Sequence, residues 1–283
     1  MKFYVIIPAY NEESYIAKTL ESIASQSSAP EEVVVVNDNS TDRTAQEVEE
    51  FIFKHPFIKL LKTTSEAIHL PGSKVIRAFN KGLETLDADY DFIVKLDADL
   101  ILPTNYFEKI IQTFKKDETI GMAGGFAYIE KDGNWILESL TDKDHIRGAF
   151  KAYRKKCFQD IGGLKPAMGW DTVDELLAKY YGWKVVTIPE LKVKHLKPTG
   201  ANYDRSARYR QGEAFYTLGY GFWITAIASA KLAMKKQKPM LFIDYLSGFF
   251  RAKHAKRELL VTPEQAQFIR KYRWKNMRQK LGI

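Results

Sequence analysis

The sequence has one cysteine, Cys157, in 283 residues, so no intrachain disulfide can hold it together. That suits a reducing compartment. Signs of disorder or fibrous repeats are lacking as well: 45% hydrophobic, 28% charged and 13% aromatic residues make a globular composition. A cleavable leader is not expected either. Met1-Lys2-Phe3-Tyr4-Val5-Ile6-Ile7-Pro8 is apolar only briefly before a proline and carries no small-residue cleavage site, so it reads as a strand. The chain is therefore expected in the cytoplasm. Neither zinc-finger spacing nor an RNA-binding signature accompanies the net charge of +8, which sets nucleic acid aside. The charge, concentrated after residue 190, suits an anionic lipid surface or a phosphorylated substrate, or serves solubility alone.

What is present is an alternation. The length suits one core plus an appendage, with a boundary near residue 200. Strands are predicted over Phe3 to Ile7, Val33 to Val36, Ile58 to Lys62, Asp91 to Leu96 and Lys184 to Ile188. Helices are predicted over Glu13 to Ala24, Thr44 to Phe53, Val75 to Leu86 and Asp171 to Tyr181. The section from Gly121 to Lys156 is expected to add further strands. Strands alternating with helices imply an α/β fold around a mainly parallel sheet.

Three strand ends carry polar groups: Pro8-Ala9-Tyr10-Asn11-Glu12, Asn37-Asp38-Asn39-Ser40-Thr41-Asp42 and Asp97-Ala98-Asp99. Each alone reads as a capped strand-to-helix turn. Together they mark the carboxyl edge of a parallel sheet, where ligands bind. Asp97 and Asp99 at the end of a buried strand repel each other and lose hydration unless a cation sits between them. A hard divalent ion takes a few such oxygens and leaves its other positions to water and phosphate. It would neutralise a diphosphate leaving group.

These motifs resemble the family-2 glycosyltransferases, which have the GT-A fold. "YVIIPAYNE" from Tyr4, "VVVVNDNSTDRT" from Val33, "GSKVIRAFNKGLE" from Gly72, "FIVKLDADL" from Phe92 and "IGGLKPAMGWDTVDELLAKYYGWKV" from Ile161 follow that family's order. The resemblance covers about residues 1 to 200 and implies a Rossmann-like catalytic domain. Its nucleotide-sugar half is about 1–100 and its acceptor half about 101–200, with a helical appendage over 201–283. It implies that Pro8, Ala9, Tyr10 and Glu12 cradle the nucleoside and that Asp38 binds the base. Asn37 stands where the family has an acid. Lys74 and Asn80 would approach the nucleotide; Phe79 replaces an expected arginine, for which Arg77 is the substitute. Asp97 and Asp99 would hold ribose and a divalent metal, Mn²⁺ or Mg²⁺, and His195 would approach the metal or the diphosphate. The implied donor is a nucleotide sugar, by default a UDP-sugar.

The same resemblance implies an inverting transfer to an acceptor hydroxyl, saccharide or lipid-linked, in polysaccharide, lipopolysaccharide or glycolipid synthesis. Such a transfer needs a base. The family's Glu-Asp pair falls on Trp170-Asp171, so Asp171 is the lead candidate and Asp174, three residues on, the reserve. The plain structural alternative makes them a helix N-cap and a dipole partner. Arg205, Arg208 and Arg210 either clamp phosphates or form a solvated basic face.

The uncharged stretch Ala214 to Ala230 is seventeen residues long, short of the roughly 20 that span a bilayer. It reads as core, as an interfacial helix backed by Lys231, Lys235, Lys236 and Lys238, or as a span. Of the membrane readings, peripheral contact through 214–250, at the inner face of the membrane, is preferred. Two rivals remain. A nucleotidyltransferase would need a glycine-rich phosphate loop that Pro8 to Glu12 does not supply. A non-catalytic nucleotide-sugar or membrane-surface binding protein would share the fold.

Overall fold

The computed structural model describes residues 1–64, 72–138, 144–197 and 208–282. Two compact units result: residues 1–166 with 170–199, and residues 167–169 with 200–283.

In the first unit, β1 (Phe3–Ala9), β2 (Glu32–Asp38), β3 (Ile58–Thr63) and β4 (Phe92–Leu96) are parallel neighbours. The short β5 (Leu100–Ile101) is followed by β6 (Ile120–Lys131), β7 (Asn134–Leu137), β8 (Phe150–Arg154) and β9 (Lys184–His195). Among the described residues these make one sheet in the order β3-β2-β1-β4-β8-β6-β9-β5, with β7 paired to β6. The β4–β8, β8–β6, β6–β7 and β5–β9 pairings are antiparallel and the rest parallel, so the sheet is mixed, with most of its strands running one way. Val33, Val34, Val35 and Val36 are buried, as a strand covered on both faces requires. Pro8 is tolerated within β1 because pairing with β4 ends at Ile6, where no ladder hydrogen bond is lost.

Helices α1 (Ile16–Ala24), α2 (Thr44–Lys54) and α3 (Ser73–Leu83) follow the first three strands. The first begins later than its apolar spacing suggests. Glu12 O accepts from Tyr15 N and Ile16 N, so the carbonyl of the strand-end glutamate starts the helix. Helix α4 (Tyr106–Lys116), not expected from the sequence, buries Tyr106, Phe107, Ile110 and Phe114. Helices α5 (Lys155–Asp160) and α6 (Trp170–Tyr180) complete this unit. Strand β9 is longer than expected. Its register on β6 jumps from Gly124↔Thr187 to Phe126↔Lys192, so Pro189 lies in an irregularity and the strand resumes beyond it. That resumption carries His195 to the sheet edge, paired with Leu100.

The second unit is helical: α7 (Arg210–Thr217), α8 (Gly221–Lys235), α9 (Met240–His254) and α10 (Pro263–Leu281). The uncharged stretch is not one helix. Gly219 at φ +73° sits between α7 and α8 in a conformation other residues rarely adopt, and it breaks the run. Among the described residues no helix is long and apolar enough to cross a membrane. Helices α7 and α9 cross closely because Gly212 and Gly248 face each other's backbones: a Cβ on Gly212 would lie 1.7 Å from Tyr245 O.

Candidate active site

The first two strand-end loops are tied together. Asn11 N donates to Ser40 Oγ at 3.0 Å, Thr41 N to Asn11 Oδ1 at 2.8 Å, Glu12 N to Thr44 Oγ1 at 2.8 Å and Glu13 N to Asp42 Oδ2 at 3.1 Å. Asn11 and Asn39 adopt positive φ, which asparagine tolerates at tight turns. Asn37 uses its amide oxygen to accept from Ser40 N at 3.2 Å, which gives the departure from the family's acid a local role. Asp38 is buried, with Thr63 Oγ1 at 3.4 Å. Tyr10 is exposed at the rim, beside the buried Ala9.

Glu12 lies next to the third loop. Its Oε1 accepts from Lys197 Nζ at 2.9 Å, while its Oε2 is buried without a partner. Burial raises its pKa above the ordinary value; Lys197 opposes this, and the charges of Asp99 and Asp97 add to it. The Asp97-Ala98-Asp99 turn is braced by Thr19, whose hydroxyl donates to Ala98 O at 2.8 Å and accepts from Leu100 N at 3.0 Å. Asp97 pairs with the buried Lys95 of the same strand face. Burial pushes the Asp97 carboxyl up, with Lys95 opposing and Asp99 adding repulsion. His195 Nε2 stands 3.3 Å from Asp99 Oδ2, and its Nδ1 faces Glu138 Oε2 at 3.9 Å. Burial would lower the imidazole, but Asp99 and Glu138 raise it to about 9. Glu138 is itself held down to about 2, against burial, by His195 and Arg147.

A second cluster joins β8 to α6. Lys151 Nζ, fully buried, lies 3.1 Å from both Asp174 Oδ2 and Glu175 Oε1, and donates to Asp171 O at 2.8 Å. Tyr153 OH donates to Asp174 Oδ2 at 2.6 Å, and Ile146 N to Glu175 Oε1 at 2.9 Å. His145 bridges the acids, with Nδ1 3.1 Å from Glu175 Oε2 and Nε2 3.7 Å from Asp171 Oδ2. Burial works against ionising Asp171, yet His145, Lys151 and Arg147 outweigh it and hold the carboxyl below its ordinary value. Asp174 is pushed the other way by burial, despite Lys151. Only Asp171 of the three acids is open to solvent: 36% of its side chain, against 1% for Asp174 and 6% for Glu175. Asp174 is thus engaged in holding α6 on β8. Replacing Lys151 with methionine is expected to cost about 3–5 kcal/mol, because it strands two buried carboxylates; urea unfolding would measure it.

The two clusters touch. The Lys95 ammonium that pairs with Asp97 lies 5.3 Å from the ring centroid of Trp170, the residue before Asp171. Arg147 pairs with Glu138 and acts on Asp171. Lys74 and Asn80 sit half-buried on α3 instead, with Arg77 exposed. Phe79 points into the core, 6.2 Å from the Phe158 ring centroid. Arg205 lies outside the described residues, and Arg208 pairs with Asp244 at 3.7 Å in the helical unit. Lys95, Glu138, His145, Arg147, Lys151 and Glu175 carry no sequence signal as site residues, while Lys197 carries one only as a lysine flanking His195. A lysine inside an otherwise apolar strand, as at Lys95, is the nearest to one.

The model of glycosyl transferase family 2 matches residues 4–166. A dolichol-phosphate mannosyltransferase of Pyrococcus furiosus is 31% identical over 208 residues, covering 67% of this chain and 56% of the relative. A poly-β-1,6-N-acetyl-D-glucosamine synthase of Staphylococcus epidermidis is 25% identical over 188 residues, covering 59% and 41%. The chain thus spans about half the length of the curated relatives it matches, or less. In fold it is similar to the mannosyltransferase PcManGT of Pyrobaculum calidifontis, solved with GDP-Man and Mn²⁺. That match has a TM-score of 0.59 at 19% identity and covers 95% of this chain and 78% of the other. The fold is therefore of the GT-A type. On the family model, which covers more than half of its length, the chain belongs to glycosyl transferase family 2.

Proposed function

We propose that the protein transfers a sugar from a nucleotide-sugar donor to an acceptor hydroxyl, with inversion and with a divalent metal. The observation that carries this reading is the convergence of Glu12, Asp97 and Asp99 at the carboxyl edge of the sheet. Burial disfavours ionisation of Glu12 and Asp97, and one Glu12 oxygen is buried with no partner. Lys197, Lys95 and His195 face these three carboxylates, and the partnerless Glu12 oxygen is an acceptor left over for a cation or a donor to fill. Among the described residues no three His, Cys, Asp or Glu side chains could hold a metal ion by themselves. One or two carboxylates that leave the remaining positions to water and phosphate are the usual way Mg²⁺ is held. The donor set fits.

Asp97 and Asp99 would hold the metal, Mn²⁺ or Mg²⁺, which when bound neutralises charge developing on the diphosphate. PcManGT was solved with Mn²⁺. His195, facing Asp99 and Glu138, would approach the diphosphate; ligating the metal would require a neutral imidazole. Pro8, Ala9, Tyr10 and Glu12 would frame the nucleoside, Asp38 the base, and Lys74 and Asn80 the outer face of the nucleotide. Asp171 would take the proton from the acceptor hydroxyl. His145 fixes that carboxylate from one side, and Lys151 holds its backbone carbonyl from below. Asp174 then acts through α6 rather than on the acceptor. Peripheral membrane contact through 214–250, at the inner face, would keep the protein where lipid-linked acceptors are found.

Structures of similar fold solved with GDP-Man and with UDP-GlcNAc make GDP- and UDP-sugars the first donors to compare. A thermal-shift panel of UDP-, GDP- and dTDP-sugars, with and without Mn²⁺, tests the reading. One nucleotide class should raise Tm by several degrees, and only with metal. No shift with any of them would remove the donor site.

A further inference from the structure

Chemistry segregates along this chain. Residues 208–283 hold sixteen lysines and arginines against four aspartates and glutamates. The rest of the molecule is therefore net acidic. Within the helical unit, α8 and α9 form a hairpin whose turn, Met234 to Met240, is exposed throughout and includes Lys235, Lys236 and Lys238. Beside those lysines stand large apolar side chains in water: Trp223 is 69% exposed, Met234 79%, Met240 66% and Ile243 58%. They fall into two stripes. Trp223, Ile227 and Met234 share one face of α8, while Met240, Ile243 and Phe250 share one face of α9. The stripes are joined where Phe222 meets Phe250, with ring centroids 5.8 Å apart. Near the turn an apolar recess of about 470 Å³ opens between Ala230, Ala233, Met234, Gln237, Pro239 and Phe242.

We infer that this hairpin end is a docking surface for an anionic lipid bilayer, with Trp223, Met234, Met240 and Ile243 entering the headgroup region and the turn lysines meeting lipid phosphates. The inference rests on the peripheral membrane contact proposed above and says where, and to which lipids, it is made. Exposed apolar patches of this kind mark interaction sites. Among the described residues no helix is long and apolar enough to span, and the exposed apolar stripes beside lysines suit the interface. Charge selects the partner. Asp244 is the only acidic residue between Ala214 and Arg257, and it is held by Arg208. A second copy packed in parallel on this face would set lysine turn against lysine turn. An anionic surface complements both features at once.

Vesicle co-sedimentation with the full chain tests this, using phosphatidylcholine alone and phosphatidylcholine mixed with phosphatidylglycerol. Two variants are compared: Lys235→Glu/Lys236→Glu/Lys238→Glu, and Trp223→Ala/Met234→Ser/Met240→Ser. All six positions are exposed, and an unchanged thermal melt checks the fold. The wild type should partition about tenfold or more in favour of the anionic vesicles, and each variant should lose about tenfold. Equal binding to neutral vesicles would overturn the anionic-lipid assignment, and anionic binding that neither variant weakens would overturn the hairpin assignment, each leaving membrane contact standing. Binding to neither vesicle would sink both. A dimer in light scattering that the apolar variant dissociates would assign the face to a second copy and overturn the inference.

Discussion

Asp171→Asn is expected to lower kcat about 10²- to 10⁴-fold while leaving donor KM nearly unchanged, the range a positioned general base contributes. The substitution keeps the shape of the side chain and removes its charge. Its neighbours explain why the loss should fall on turnover rather than on folding. Asp171 is the one acid of its cluster that reaches solvent, whereas Asp174 and Glu175 are enclosed by Lys151, Tyr153 and the Ile146 amide. Asp174→Asn should show the opposite pattern: a lower melting temperature, with the folded fraction still turning over. Steady-state kinetics with the donor found in the thermal-shift panel separates the two. If Asp171→Asn keeps more than about half of wild-type kcat, the base lies elsewhere.

Asp97→Asn and Asp99→Asn should each reduce kcat/KM about 10²- to 10³-fold, the usual cost of removing one group that stabilises charge in the transition state. Each should also abolish the metal-dependent part of the donor-induced thermal shift. The two will differ in their side effects. Asp97→Asn leaves the buried Lys95 without its carboxylate, so it should destabilise the fold as well. Asp99→Asn leaves His195 facing Glu138 alone, and its imidazole should titrate below about 9, which NMR would report. A metal-dependent shift that survives both changes would mean that the cation, if used, is held by other groups.

Much of the parallel half is legible in the order of the residues alone. A run such as Val33 to Val36 that ends in Asn37-Asp38-Asn39-Ser40 is a local signal: apolar residues demand burial, and the turn formers that follow demand an end. Hence β1, β2 and β4, their polar ends and helix α6 can be placed within a few residues. Helix α4 carries its own spacing in Tyr106, Phe107, Ile110 and Phe114, a signal the strand-end motifs overshadow. The far reach of β9 is not readable, because Pro189 looks like a terminus until its register on β6 shows an interruption. Phe79 gains its explanation only from Phe158, distant in sequence, which it meets in the core.

By itself the sequence determined the family, the order of the strand-end motifs and the presence of paired carboxylates where a parallel sheet binds ligands. Those properties depend on residues close together in the chain. The tertiary structure decided which acid stands open and which is locked. The family's motif ranks Asp171 ahead of Asp174, but the difference in their burial comes from Lys151, Tyr153 and His145, brought from β8 and the loop before it. It also divided the uncharged stretch, since the positive φ at Gly219 turns one apparent segment into two helices. Burial and charge pairing are set by neighbours in space, and no spacing rule along the chain contains them.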